Sequence, residues 1–152
     1  MREVLVRTID LLIVDDDPEI RRYMQRALQR GFRGAGRVDE AGDGEAALRM
    51  LRTEHYDAVI TDVLLPQLDG LSLCRALEDD PRTRAIPVLI VSGELGAEER
   101  AKQEMRGGVS RAFLPKPFNG GELCAAVEKL LSATHAEHLR TLGGHEEPPS
   151  WS

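Results

Sequence analysis

Lysine is nearly missing from this chain. Of its 20 basic residues, only Lys102, Lys116 and Lys129 are lysine, and the rest are arginine. Aromatic residues make up 4% of the sequence, and there are two cysteines. Cys74 and Cys124 fall within helical patterns and have no metal-type spacing, so they read as packed thiols in a reducing cytoplasm. No apolar run approaches the ~18 residues of a membrane helix. The stretch Met1 to Arg7 is too short and too charged for a secretory signal. There is no long basic block, and the net charge of −6 argues against a general nucleic-acid surface. The expectation is a cytoplasmic protein with neither nucleic acid nor membrane as a partner.

What is present fits a globular domain. The chain has 152 residues, 41% of them hydrophobic and 30% charged. That length supports one domain with a well-sized core.

Five short apolar runs alternate with helical patterns. Leu11 to Val14 is continuous and apolar and stops at Asp15-Asp16-Asp17-Pro18, as a buried parallel strand would. Asp17 suits a helix N-cap and Pro18 a first turn. The helix that follows turns Ile20, Met24, Ala27 and Leu28 inward, leaves Arg21, Arg22 and Arg26 outward, and closes at Gly31. Gly34 to Gly36 reads as a loop, and Arg37 to Ala41 as a weak second strand. A helix over Glu45 to Arg52 leads to the strand Ala58-Val59-Ile60, which ends at Asp62. A third helix spans about Gly70 to Glu78. Ile86 to Val91 is a fourth strand, ending in Ser92-Gly93. A polar helix over Ala97 to Arg106 has few apolar anchors. Arg111 to Pro115 is a fifth strand, and a last helix starts at Asn119 or Gly120. From about Ala133 the pattern decays into a polar tail that holds three of the four histidines, read as a frayed helix end and disorder. Such alternation implies a parallel sheet with right-handed crossovers and helices on both faces.

In a parallel sheet all strands present their carboxyl ends on one edge. Asp15 and Asp16, Asp62, Ser92 and Lys116 would therefore meet there. Three carboxylates in one pocket repel one another unless a cation is present. A hard divalent cation such as Mg²⁺ suits oxygen ligands and takes one or two carboxylates, waters and a phosphate oxygen. With the Lys116 ammonium and the Ser92 hydroxyl, the set can hold a phosphoryl group in flight, and a carboxylate within it can be the nucleophile. A compact ammonium in a chain so biased to arginine fits a crowded phosphoryl pocket. Each piece alone is a turn, a cap or a strand exit; their arrival at four strand ends is what carries the reading. Asp57 reads as a strand-start residue outside the site.

The pieces Leu12 to Pro18, Asp62 to Gly70, Val91 to Gly93 and Leu114 to Phe118 resemble, in order and spacing, the receiver domain of two-component response regulators. The resemblance covers roughly residues 9 to 132, leaving 1–8 as an N-terminal extension and 133–152 as a tail. It implies a flavodoxin-like doubly wound sheet of five parallel strands in the order 2-1-3-4-5 with five helices. It implies Asp62 as phosphoacceptor, Asp16 as direct Mg²⁺ (or Mn²⁺) ligand, Asp15 assisting through water, and the Leu64 carbonyl as a further ligand beside Asp62. Ser92 matches the switch hydroxyl, Lys116 the lysine on the phosphoryl group, and Phe113 the switch aromatic. Lys116-Pro117 should be cis. Leu64 and Glu94, two residues beyond Asp62 and Ser92, match positions that tune dephosphorylation. Two departures stand out. The connection Gly107 to Ser110 is one residue longer than usual, and Phe113 lacks the hydroxyl of the commoner tyrosine.

The implied donor is a sensor histidine kinase or a His-phosphotransfer protein. The implied output is a protein target met by the fourth helix, fifth strand and fifth helix, from a monomer or weak dimer. About twenty residues follow the last helix, too few for an output module, so a stand-alone regulator or phosphorelay member is expected. Such a chain is not an enzyme on other substrates and catalyses only its own phosphorylation and self-dephosphorylation. A haloacid-dehalogenase-like phosphatase would need an aspartate where Leu64 stands. A nucleotide-binding flavodoxin-like protein would need a glycine-rich loop after the first strand. The alternative kept is a receiver-like interaction module that works without phosphorylation.

Overall fold

The computed structural model describes the backbone of residues 7–104 and 111–143, with side chains over 7–103 and 111–134. Five strands, β1 (Ile9–Val14), β2 (Ala35–Ala41), β3 (Ala58–Asp62), β4 (Val88–Ser92) and β5 (Arg111–Pro115), alternate with five helices. These are α1 (Pro18–Gly31), α2 (Gly44–Thr53), α3 (Gly70–Asp79), α4 (Ala97–Glu104) and α5 (Gly120–Gly143). All strand pairs are parallel, in the order β2-β1-β3-β4-β5, as the alternation and the resemblance implied.

The two faces of the sheet separate by the period of two along each strand. Leu12 and Val14 of β1, Val59 of β3 and Ile90 of β4 pack with Leu51, Leu73 and Leu77 from α2 and α3. Leu11, Ile13, Ile60 and Leu89 pack on the other face with Met24 and Leu28 of α1 and Leu123 and Val127 of α5. Every residue of β3 and β4 is buried, which is why both read as unbroken apolar runs. Each buried leucine contributes roughly 1.5–3 kcal/mol.

The helix starts follow side-chain chemistry. Asp17, Asp43 and Asp69 accept from the backbone N–H groups of Glu19, Ala46 and Ser72. Asn119 and Glu122 form a reciprocal capping box at α5, at 2.8 and 3.0 Å.

Several boundaries differ from the expected ones. β1 begins at Ile9 and β2 at Ala35, inside the stretch read as a loop. The Asp10 carboxylate accepts the Arg37 N–H at 2.8 Å, and the Gly34 carbonyl accepts the Ile9 N–H at 2.9 Å. These bonds lengthen the pair with residues too polar for an apolar pattern to include. Gly34, at φ 87°, makes the turn after α1. β4 starts at Val88, just after Pro87, and continues through Ser92. α5 continues to Gly143, past the decay of its apolar pattern. The long connection Gly107 to Ser110, the end of α4 at Arg106, and the residues beyond 143 lie outside the described residues.

Candidate functional site

Strand register gathers the site. Val14 pairs with Thr61, Asp62 with Val91, and Ser92 with Pro115. The strands therefore end within about one residue of each other, and Asp15, Asp62, Ser92 and Lys116 share the carboxyl edge. The Lys116 N–H donates to the Ser92 carbonyl at 3.0 Å, fixing the exit of β5 against that of β4. The Lys116-Pro117 peptide is cis, as the resemblance implied.

Lys116 Nζ lies 2.5 Å from Asp62 Oδ2 and 3.6 Å from Asp15 Oδ2. Asp62 Oδ1 accepts the Leu64 N–H at 3.2 Å. Asp15, Asp62 and Ser92 are buried among these partners, whereas Asp16 is exposed beside them. Burial pulls the Lys116 ammonium down, but the hydrogen bond and charge of Asp62, with Asp15, outweigh it and hold Lys116 above its ordinary value. Burial also pushes the Asp15 carboxyl up, and the charges of Asp62 and Asp16 add to this. The Asp17 N–H and Lys116 oppose it without cancelling it.

Asp15 Oδ1 accepts the Asp17 N–H at 2.9 Å, while Asp15 Oδ2 is buried with no hydrogen-bond partner. An orphaned carboxylate oxygen at the mouth of an acidic pocket fits a cation or a water bound to one. Among the described residues, no three His, Cys, Asp or Glu side chains form a ready-made metal cage. The side-chain oxygens on offer at this edge are the carboxylates of Asp15, Asp16 and Asp62. A cation held there would keep several waters, as Mg²⁺ characteristically does.

Ser92 Oγ accepts the Glu94 N–H at 2.9 Å. A cavity of about 300 Å³ opens between Ser92, Glu94, Ala97, Phe113 and Lys116. Phe113 is half-buried and packs against the α2–α3 face of the core. Leu64 stands on the β3–α3 connection with 63% of its surface exposed. Glu94 is tied to Arg100 at 3.1 Å. A larger cavity, about 460 Å³, lies at the opposite sheet edge around Arg7, His55 and Asp57 and includes none of these residues. Asp57 is there, accepting the Asp10 N–H at 2.8 Å and pairing with Arg7, so its place is structural.

Sequence reasoning missed Arg21, expected to point outward. Its guanidinium folds back to the sheet edge, donating to the Asp15 carbonyl at 2.7 Å and to Glu40 at 3.1 Å. It also missed the pairing of Arg111 on β5 with Glu78 on α3, at 3.5 Å. Neither arginine departs from the surface-type pattern of its neighbours, so helix and strand periodicity could not single them out.

The response regulator receiver domain family matches residues 11–128. The transcriptional activator protein PfeR of Pseudomonas aeruginosa is 38% identical over 133 residues, which is 85% of this chain and 40% of PfeR. The response regulator MprA of Mycobacterium tuberculosis is 36% identical over 133 residues, 86% of this chain and 54% of MprA. The chain thus spans about half the length of the curated relatives it matches. Among solved structures, the receiver domain of Francisella response regulator 1452 superposes with a TM-score of 0.71 at 29% identity, covering 84% of this chain and 99% of that one. Chemotaxis response regulator CheY4 of Vibrio cholerae superposes with a TM-score of 0.70 at 26% identity, covering 81% and 98%. Sequence, strand order and site geometry agree: this chain belongs to the response regulator receiver domain family.

Proposed function

We propose that this chain accepts a phosphoryl group on Asp62 from a phosphohistidine of a sensor kinase or phosphotransfer protein, and that Mg²⁺ (or Mn²⁺) is required. The observation that carries this is Lys116 Nζ at 2.5 Å from Asp62 Oδ2 and 3.6 Å from Asp15 Oδ2, which has no hydrogen bond of its own. A carboxylate oxygen of Asp62 bonds to phosphorus as the phosphorus–nitrogen bond to the donor imidazole breaks. Lys116 holds negative charge on the transferring group, and its raised pKa keeps it charged for that task. Asp15, Asp16, Asp62 and the Leu64 carbonyl would hold the cation, which neutralises the phosphoryl oxygens. Ser92 donates its hydroxyl to the group, leaving its present place beside the Glu94 N–H. The chain catalyses only its own phosphorylation and self-dephosphorylation.

The cavity beside Ser92 and Phe113 gives both side chains room to move. Their shift would alter the α4–β5–α5 face, where α4 buries few anchors beyond Ala97 and Ala101, and so change contacts with a protein target. Relay of the phosphoryl group onward would use the same chemistry. The stand-alone expectation draws no support from the relatives, one of which is a transcriptional activator of greater length. Among the described residues, no helix is long and apolar enough to cross a membrane.

The decisive experiment is labelling by acetyl phosphate with Mg²⁺. Asp62→Asn should abolish it, and EDTA should abolish it in the unsubstituted chain. Undiminished labelling of the Asn variant would refute the assignment.

A further inference from the structure

We propose that Arg21 is a positioning residue for the cation-binding carboxylates, acting through the backbone of Asp15. This rests on the reading of Asp15, Asp16 and Asp62 as the oxygens that hold the cation.

Arg21 lies on α1, one turn past the helix start. Its Nη1 donates to the Asp15 carbonyl at 2.7 Å, and its Nε donates to Glu40 Oε1 on β2 at 3.1 Å. The guanidinium passes over Gly42, where a Cβ would sit 3.5 Å from Nη1. Only 20% of the Arg21 side chain is exposed, unlike its exposed neighbours Arg22 and Arg26.

The Asp15 carbonyl belongs to the peptide that joins Asp15 to Asp16. Gripping it fixes the orientation from which both carboxylates leave the backbone. Asp15 is also held by its N–H on the Ala41 carbonyl at 3.2 Å, by its Oδ1 on the Asp17 N–H at 2.9 Å and by the ion pair of its Oδ2 with Lys116 at 3.6 Å. The first two use backbone donors or acceptors on the partner side, and Lys116 belongs to the phosphoryl site itself. Arg21 is the anchor a substitution can remove without touching that site. With all of them in place, Oδ2 has no hydrogen bond of its own. A forked guanidinium can hold two acceptors at a fixed angle, which an ammonium cannot. Glu40 offsets the positive charge, so the clamp adds little repulsion toward a cation nearby.

Charge and positioning predict opposite outcomes. Removing a positive charge near the site should tighten cation binding if electrostatics is all that Arg21 does. Removing a clamp should weaken it, by about tenfold, the lower range for lost outer-shell partners of metal ligands. The test is Mn²⁺ binding, read from free Mn²⁺ by electron paramagnetic resonance, on the full chain and on Arg21→Ala, Arg21→Lys and Arg22→Ala. The expected result is about tenfold weaker binding in Arg21→Ala, a partial recovery in Arg21→Lys and no change in Arg22→Ala. The Mg²⁺ concentration for half-maximal labelling by acetyl phosphate should rise by the same factor, with the rate at saturating Mg²⁺ near that of the unsubstituted chain. Unchanged or tighter Mn²⁺ binding in Arg21→Ala would overturn the proposal, even with a lowered Tm. If Arg21→Ala does not fold, Arg21→Lys decides, because unsubstituted affinity in it would show that the fork is not needed. Failure of the unsubstituted chain to bind Mn²⁺ would instead overturn the cation reading and this proposal with it.

Discussion

Asp15 is the residue at which stability and function oppose each other most directly. Its burial, with the charges of Asp62 and Asp16, raises its pKa above the ordinary 3.8. A carboxyl raised in the folded state contributes stability that is fully present below that ordinary value. The contribution is lost as pH rises through the raised value. At neutral pH Asp15 is therefore ionised at a net cost to the fold. Asp15→Asn should raise Tm by a few degrees at pH 7 in metal-free buffer, with the gain shrinking as pH falls through the raised value and gone below 3.8, while labelling by acetyl phosphate drops sharply. Thermal melts with EDTA across pH check this, and a less stable Asn variant at pH 7 would contradict it. Leu64 raises a second matter at this scale. It is exposed beside Asp62 but offers no side-chain hydrogen bond to orient an attacking water, and the Glu94 carboxylate is engaged by Arg100. Leu64→Asn should shorten the lifetime of the Asp62 phosphoryl group severalfold, measured by loss of label after the donor is removed. Equal lifetimes would mean that access, not water orientation, limits hydrolysis.

At the scale of elements, the β3–α3 connection decides where Asp62 points. Gln67 sits in the left-handed region at φ 70°, and the chain then doubles back so that Gly70 donates to the Val63 carbonyl at 2.9 Å. A Cβ on Gly70 would lie 2.1 Å from the Asp62 carbonyl oxygen. α3 therefore starts almost on top of the phosphoacceptor's own backbone. Gly70→Ala should destabilise the fold by about 1–3 kcal/mol, the range for overpacking, as urea unfolding would show. It should also slow labelling, because relief of the clash moves Asp62. In the sequence, Asp69-Gly70 was visible only as a turn and cap signal. The cap was right, since Asp69 accepts the Ser72 N–H at 2.8 Å. The close approach was invisible, because it depends on how α3 packs across the end of β3.

For the whole molecule, the expected consequence is linkage between ligand and fold. A phosphoryl analogue that binds only the folded site stabilises it, by roughly 2.7 kcal/mol at a hundred times its Kd. For a chain of this size that is roughly 5–10 °C in Tm. Beryllofluoride with Mg²⁺ should produce such a shift, and Asp62→Asn should remove it. A flat response in the unsubstituted chain would favour the phosphorylation-independent module. The mostly buried polar groups of the site lie on one sheet edge, whereas the Arg7, His55 and Asp57 cluster lies on the other.

The sequence by itself determined the fold class and which residues the strand ends could bring together. Runs such as Leu11 to Val14 and Ile86 to Val91 fit strands buried on both faces, and strands of that kind, alternating with helices, imply a parallel sheet. Parallel strands bring their carboxyl ends together, so Asp15, Asp16, Asp62, Ser92 and Lys116 could be named without coordinates. The tertiary structure decided what each atom does. It left Asp15 Oδ2 without a hydrogen bond, brought Lys116 to 2.5 Å from Asp62, turned Arg21 back onto the Asp15 carbonyl and packed Gly70 on Asp62. Those contacts depend on register, rotamer and helix placement. They join separate elements across the sheet edge, so no local period or motif encodes them.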